Sequence, residues 1–198
     1  DGSADNPRSI VIGTNNQYTA IFTNTVPLVP VQLKQWETDC GGANEDNLRR
    51  VVVTADGGYL LAGFSGSGVS GNKEKAGFSK SDYWIIKLDG SGIKEWEEIY
   101  GGTDEDYLYD AQQTADGGYI LAGHSQSGAS GNKTAPSYGK SDFWLVKTDA
   151  RGVKVWDRSF GGAENDLLRA VRLCTDGGYL LGGSSESYVS GNKTATRY

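Results

Sequence analysis

Three groups of residues in this 198-residue sequence have the chemistry to hold a ligand. The first is a set of acidic turns, Glu45/Asp46, Asp104/Glu105/Asp106 and Glu164/Asp166, each just after a glycine pair. Carboxylate oxygens crowded on a turn suit calcium, which takes six to eight oxygen ligands at about 2.3–2.6 Å, and Asp46, Asp106 and Asp166 are the candidate ligands. The plainer reading is that each aspartate accepts hydrogen bonds from N–H groups of its own turn, and the spacing does not match an EF-hand loop. The second group is the stretch SGNK, which recurs and supplies Asn72/Lys73, Asn132/Lys133 and Asn192/Lys193, with Phe78 and Tyr138 a few residues on. Amide and ammonium donors beside an aromatic ring suit a glycan or a protein surface, while Gly-Asn is also ordinary turn chemistry. The third group is the five tryptophans, Trp36, Trp84, Trp96, Trp144 and Trp156; their fixed repeat positions favour packing, with each indole N–H finding a partner.

Catalytic chemistry has little to work with. His124 is the only histidine, so neither a multi-histidine zinc site nor a nucleophile–histidine triad can be assigned. Asp82 and Asp142 would serve a glycosidase only if both faced one funnel, and their recurrence at one repeat position points to a structural role. No phosphate-binding glycine loop or dinucleotide fingerprint is present, so no cofactor is expected beyond the calcium option, and no enzymatic activity is expected. The net charge of −6 argues against nucleic acid as a partner, and no apolar run reaches the roughly 18 residues that would insert into a membrane.

These residues belong to a repeat. Residues 101–133, GGTDEDYLYDAQQTADGGYILAGHSQSGASGNK, return with variations at 41–73 and 161–193, displaced by 60 residues without a gap. Within a unit, 48–54 is rich in β-branched residues and reads as a first strand. The Asp-Gly-Gly turn at 55–58 is a hairpin signal leading into an apolar second strand, 59–65. A polar loop of about fifteen residues (66–80, 126–140) carries SGNK. A third strand (82–88, 142–148) and a fourth (93–100, 153–160) follow, the fourth alternating charged and bulky residues as a half-exposed strand does.

Four short strands per unit, the second most apolar and the fourth most polar, describe an all-β chain built of four-stranded antiparallel β-propeller blades. The division is a degenerate or shortened N-terminal blade at 1–40, repeats at 41–100 and 101–160, and a partial repeat at 161–198, all in one domain. Closed propellers generally have at least four blades, so the expectation is an incomplete arc of a larger propeller, able to associate with itself through incomplete blade edges. A β-trefoil-like threefold repeat is the alternative. In the first forty residues, 9–22 reads as a hairpin, and Pro27 and Pro30 mark a connector. With no leader at Asp1, the chain reads as an excised piece. Cys40 and Cys174 stand at different repeat positions, which leaves their pairing open.

The unit at 81–125 resembles repeats of secreted bacterial β-propeller proteins, especially those of the Bacteroidota. The likeness covers about residues 36–198 and rests on Asp82, Trp84, Lys87, Asp89, Trp96, Gly101, Gly102, Asp106, Asp116, Gly117, Gly118, Tyr119 and Gly123. It implies a module secreted from, or displayed on the surface of, a bacterial cell. The expected function is non-catalytic binding of an extracellular glycan or protein through repeated loops on one face. The alternatives are a structural spacer of a larger secreted protein and part of a catalytic propeller, a hydrolase or lyase completed by further blades.

Overall fold

The Asp-Gly-Gly turns fold as their sequence dictates. Gly57 adopts a positive φ of 83°, which a side chain would oppose. Its N–H bonds to Thr54 O at 2.9 Å, while the Asp56 carboxylate accepts the Gly58 N–H at 3.0 Å. The hairpin closed by this turn is then locked to the third strand: Lys87 Nζ reaches Asp56 at 2.9 Å, and Lys147 repeats the clamp on Asp116 at 2.9 Å. Burial is unfavourable to each ammonium, and the carboxylate it meets offsets that penalty. At the next turn Asp89 accepts the N–H groups of Ser91 and Ile93, at 2.8 and 2.9 Å, and Asp149 does the same for Arg151 and Val153.

The computed structural model describes residues 11–12 and 36–196. These are all-β, with no helix. A short parallel pair, Val11–Ile12 (β1) with Asp39–Cys40 (β2), comes first. Asp46–Val53 (β3), Tyr59–Ser65 (β4), Asp82–Leu88 (β5) and Lys94–Tyr100 (β6) form one four-stranded antiparallel sheet in sequence order. Asp106–Gln113 (β7), Tyr119–Ser125 (β8), Asp142–Thr148 (β9) and Lys154–Phe160 (β10) form the second, and Asp166–Leu173 (β11) pairs with Tyr179–Ser185 (β12). These are propeller-like blades: successive antiparallel neighbours in an up-and-down meander, whereas a trefoil would distribute its hairpins between a barrel and a cap. The 9–22 hairpin and the connector after it lie outside the described residues, apart from β1.

The first strands of successive sheets face one another, β3 against β7 and β7 against β11. Between the two full blades lies a core of Leu60, Ile85, Tyr119, Leu121, Trp144 and Val146, crossed by a hydrogen bond from the Tyr83 hydroxyl to Trp144 O at 2.9 Å. β4, β5 and β8 are buried along their whole length, as apolar strands covered on both faces must be. β12 is half exposed because, among the described residues, only β11 pairs with it.

Two boundaries move relative to the sequence reading. The first strands begin two residues earlier, since Asp46, Asp106 and Asp166 already pair with Ser65, Ser125 and Ser185. The fourth strands begin at Lys94 and Lys154 because the aspartate turns hold Ile93 and Val153.

Candidate functional site

Two of the three SGNK lysines turn inward. Lys73 is 1 % exposed and Lys133 2 %. Lys73 Nζ donates to Ser67 O at 2.7 Å and to Lys75 O; Lys133 Nζ donates to Ala135 O at 2.7 Å and Ser159 Oγ at 3.2 Å. Each ammonium also lies over an indole, Lys73 over Trp84 at 5.7 Å and Lys133 over Trp144 at 5.6 Å. Burial lowers both lysine pKa values, and surrounding carboxylates counteract it. The expectation that these lysines are surface donors is therefore corrected: they bind the loop to itself. Lys193 is half-buried and bonds Ala195 O at 2.5 Å.

The asparagines are brackets. Asn132 Oδ1 accepts the Gly101 N–H at 2.9 Å while its amide donates to Ile99 O at 2.8 Å; Asn192 repeats this with Gly161 and Ser159, and Asn72 with Gly41 and Asp39. Each thereby fastens its loop to the end of the strand that precedes its repeat, β6, β10 and β2. The aromatics reach the next repeat: a Cβ on Gly131 would stand 3.0 Å from the Phe78 ring, and one on Gly191 would stand 2.8 Å from Tyr138.

The three candidate calcium ligands are occupied separately. Asp46, Asp106 and Asp166 accept the N–H of Gly42, Gly102 and Gly162 at 2.7, 2.8 and 2.7 Å. Each also accepts a serine hydroxyl, from Ser67, Ser127 and Ser187 at 2.9, 3.0 and 2.7 Å. They stand in three different sheets, and no group of three or more His, Cys, Asp or Glu side chains converges among the described residues. Asp82 and Asp142 cap their own loops, taking the N–H of Phe78 at 2.8 Å and of Tyr138 at 2.7 Å, and do not share a funnel.

Carboxylates do meet where blades join. Asp82 Oδ1 and Asp106 Oδ2 lie 1.9 and 2.9 Å from the point where a Cβ on Gly101 would stand. Burial pushes the Asp106 carboxyl up to about 6, and the Asp82 charge adds to the shift. His124 moves the other way. Buried between Tyr107 and Tyr109, it is held down to about 4 by desolvation and by the Arg169 charge.

These two groups oppose each other between pH 4 and 6.5. Asp106 takes up its proton in the folded state first, so stability rises as pH falls through 6 toward the ordinary carboxylate value. His124 takes up its proton in the unfolded state first, so stability falls as pH drops from 6.5 to 4. Each effect amounts to about 3 kcal/mol across the window, and in the wild-type chain they largely cancel. Urea unfolding at pH 7 and pH 4 separates them: His124→Phe should gain about 3 kcal/mol at the lower pH, and Asp106→Asn should lose about as much. Phenylalanine suits the site because Phe64 occupies it in the preceding repeat, edge-on to Tyr107 at 4.9 Å. Parallel pH profiles for both variants would refute the assignment.

The tryptophans pack. Trp96 rests against Gly152, Trp36 against Gly92, and Trp144 Nε1 donates to Asp157 at 3.0 Å, but the buried indole N–H groups of Trp36 and Trp84 find no partner among the described residues, which corrects the expectation that every indole would. Both cysteines are free, Cys40 buried and Cys174 exposed.

What the motif reading missed lies on the first strands. Each has a register shift that leaves one residue without a cross-strand partner: Arg49 in β3, Tyr109 in β7 and Arg169 in β11. The Arg49 guanidinium lies 5.1 Å from the Phe64 ring centroid and 5.2 Å from that of Tyr109, and Arg169 lies 4.1 Å from Tyr109. The signal was the complement of the one used: these positions read Arg, Tyr, Arg where the surrounding motif repeats.

The class of protein defined by this fold is an all-β repeat protein of four-stranded, blade-like sheets. No family model matches the chain. It is 27 % identical over 155 residues to a regulatory protein, FlaEY, of Caulobacter vibrioides, an alignment covering 74 % of this chain. The chain spans about a sixth of that relative's length, 16 %.

Proposed function

We propose that the chain is a non-catalytic β-propeller module of the secreted bacterial repeat type, presented outside the cell and binding a glycan or protein through the loops after each second strand. The observation supporting this reading is the inside-out character of those loops. Lys73 and Lys133 are buried and the asparagines are spent on backbone groups, while Val69, at 65 % exposure, Tyr188, at 67 %, and the neighbouring Val189 and Phe78 face solvent. A loop held by its asparagine and lysine loses little conformational entropy when it meets a partner. Exposed apolar side chains on a rigid support are what a contact surface requires.

The test is a panel of immobilised glycans and extracellular proteins probed with the wild-type chain and with Val69→Ser/Tyr188→Ser/Val189→Ser. The expected result is specific binding that falls at least about tenfold in the variant, whose unfolding midpoint stays unchanged. Binding unaffected by the triple change would move the site off this face. A spacer, the second reading, is favoured by the internal hydrogen bonding of nearly every motif side chain, and it predicts no specific binding on any panel.

A further inference from the structure

The first strands carry an unusual charge for so acidic a chain. Four of the eight arginines, Arg49, Arg50, Arg169 and Arg172, stand on β3 and β11, against a net charge of −6 for the whole sequence. Asp110, on β7 between them, engages Arg50 at 3.3 Å and Arg172 at 2.6 Å. Arg49 and Arg169 have no carboxylate within ion-pair distance among the described residues. The nearby Glu105 carboxylate is held by the Tyr107 hydroxyl at 2.8 Å. The two unpaired guanidiniums lie instead on Tyr109, whose ring also stacks on His124 at 5.3 Å.

Two independent features make this a site rather than a charged surface. First, all three bulges fall at the same repeat position and displace these three residues, and a bulge in a strand re-aims a side chain. Second, a guanidinium resting on an aromatic face is fixed in orientation while its N–H donors, which lie in its own plane, stay open to an oxyanion.

We propose that Arg49, Tyr109 and Arg169 form an oxyanion-binding wall that receives the carboxylate or sulfate groups of an acidic glycan. The choice of a glycan rests on the reading of the chain as a binding module; the anion chemistry rests on the bulge residues alone.

Binding to immobilised heparin, which carries sulfate and carboxylate groups, polygalacturonate, which carries carboxylates only, and neutral dextran tests the proposal in low-salt buffer. The wild-type chain should bind one or both acidic polymers and not dextran, and added salt should weaken the binding. Binding to heparin alone identifies sulfate esters, and binding to polygalacturonate identifies carboxylates. Arg49→Gln/Arg169→Gln should lower the affinity at least about tenfold, and Arg49→Lys/Arg169→Lys should recover only part of it, because an ammonium lacks the planar fork. Both arginines are exposed, so an unchanged urea midpoint should accompany the loss. Binding to neither acidic polymer, or binding equal in wild type and the glutamine pair, overturns the proposal. The loop variant Val69→Ser/Tyr188→Ser/Val189→Ser separates the two readings: acidic-polymer binding that survives the arginine changes but fails in the loop variant supports the loops and rejects the wall.

Discussion

Lys133→Met should destabilise the protein by about 3–5 kcal/mol, measured by urea unfolding at pH 7. The methionine fills the space of the alkyl chain, so the loss isolates the charge. Without it, Ala135 O loses its donor at 2.7 Å and Ser159 Oγ its partner at 3.2 Å. Asp106, Asp157 and Asp142 lose the cation they surround, and the indole of Trp144 loses the ammonium above it. Removing one member of a buried charged group leaves the others uncompensated, which is the expensive case. Lys193→Met supplies the internal comparison. That lysine is half-buried with one carbonyl partner, so its loss should be under about 1 kcal/mol. Equal losses at the two positions would show that burial of the loop lysine is not what matters. The result also bears on any binding experiment that replaces all three loop lysines: it would abolish binding by unfolding the blades and would be mistaken for loss of a contact.

The blades were legible in the sequence because their signals are local. Asp56-Gly57-Gly58 specifies a turn through backbone freedom and a side-chain acceptor, and the all-apolar run from Tyr59 to Gly63 specifies burial on both faces. The candidate site was less legible, for two reasons. Repetition marks what every blade needs, and here that is Asn132 bracketing Gly101, Lys133 binding its own loop, and Asp106 holding Gly102. The Asp106 brace is local, four residues from Gly102, and is the plainer reading of the acidic turns; Asn132 instead reaches 31 residues to Gly101 and Lys133 reaches 26 residues to Ser159, so at those two positions residue type alone suggested a ligand donor where the fold makes a structural brace. The positions that differ between repeats hold the unsatisfied chemistry. Arg49, Tyr109 and Arg169 come together only because three bulges align across β3, β7 and β11, and no periodicity in the sequence announces a bulge.

The same distinction between braced and open positions predicts opposite outcomes for two substitutions one residue apart in the repeat. Gly123→Ala should be among the most damaging single changes in the chain, above about 3 kcal/mol, and is expected to leave little folded protein. Its Cβ would stand 1.9 Å from Tyr107 O, 2.9 Å from the Leu108 Cα and 2.7 Å from the Tyr83 hydroxyl. None of these can retreat. Tyr107 and Leu108 are held in the β7–β8 ladder, and the Tyr83 hydroxyl is committed to Trp144 O across the blade junction. The methyl would therefore push the first strand off the second and strain the packing between sheets together. Gly182→Ala should instead be neutral or stabilise by about 0.5 kcal/mol, since an alanine there narrows the unfolded ensemble and fits the folded one. Its nearest neighbour would be the Ala170 Cβ at 3.9 Å, and the equivalent residues of the other repeats, Ala62 and Ala122, are already alanine. Soluble yield and the urea midpoint of the two variants decide the matter. A Gly123→Ala chain that folds with a midpoint near wild type would mean that β7 and β8 can separate at this point, and the rigid first strand on which Tyr109 is displayed would be lost with it.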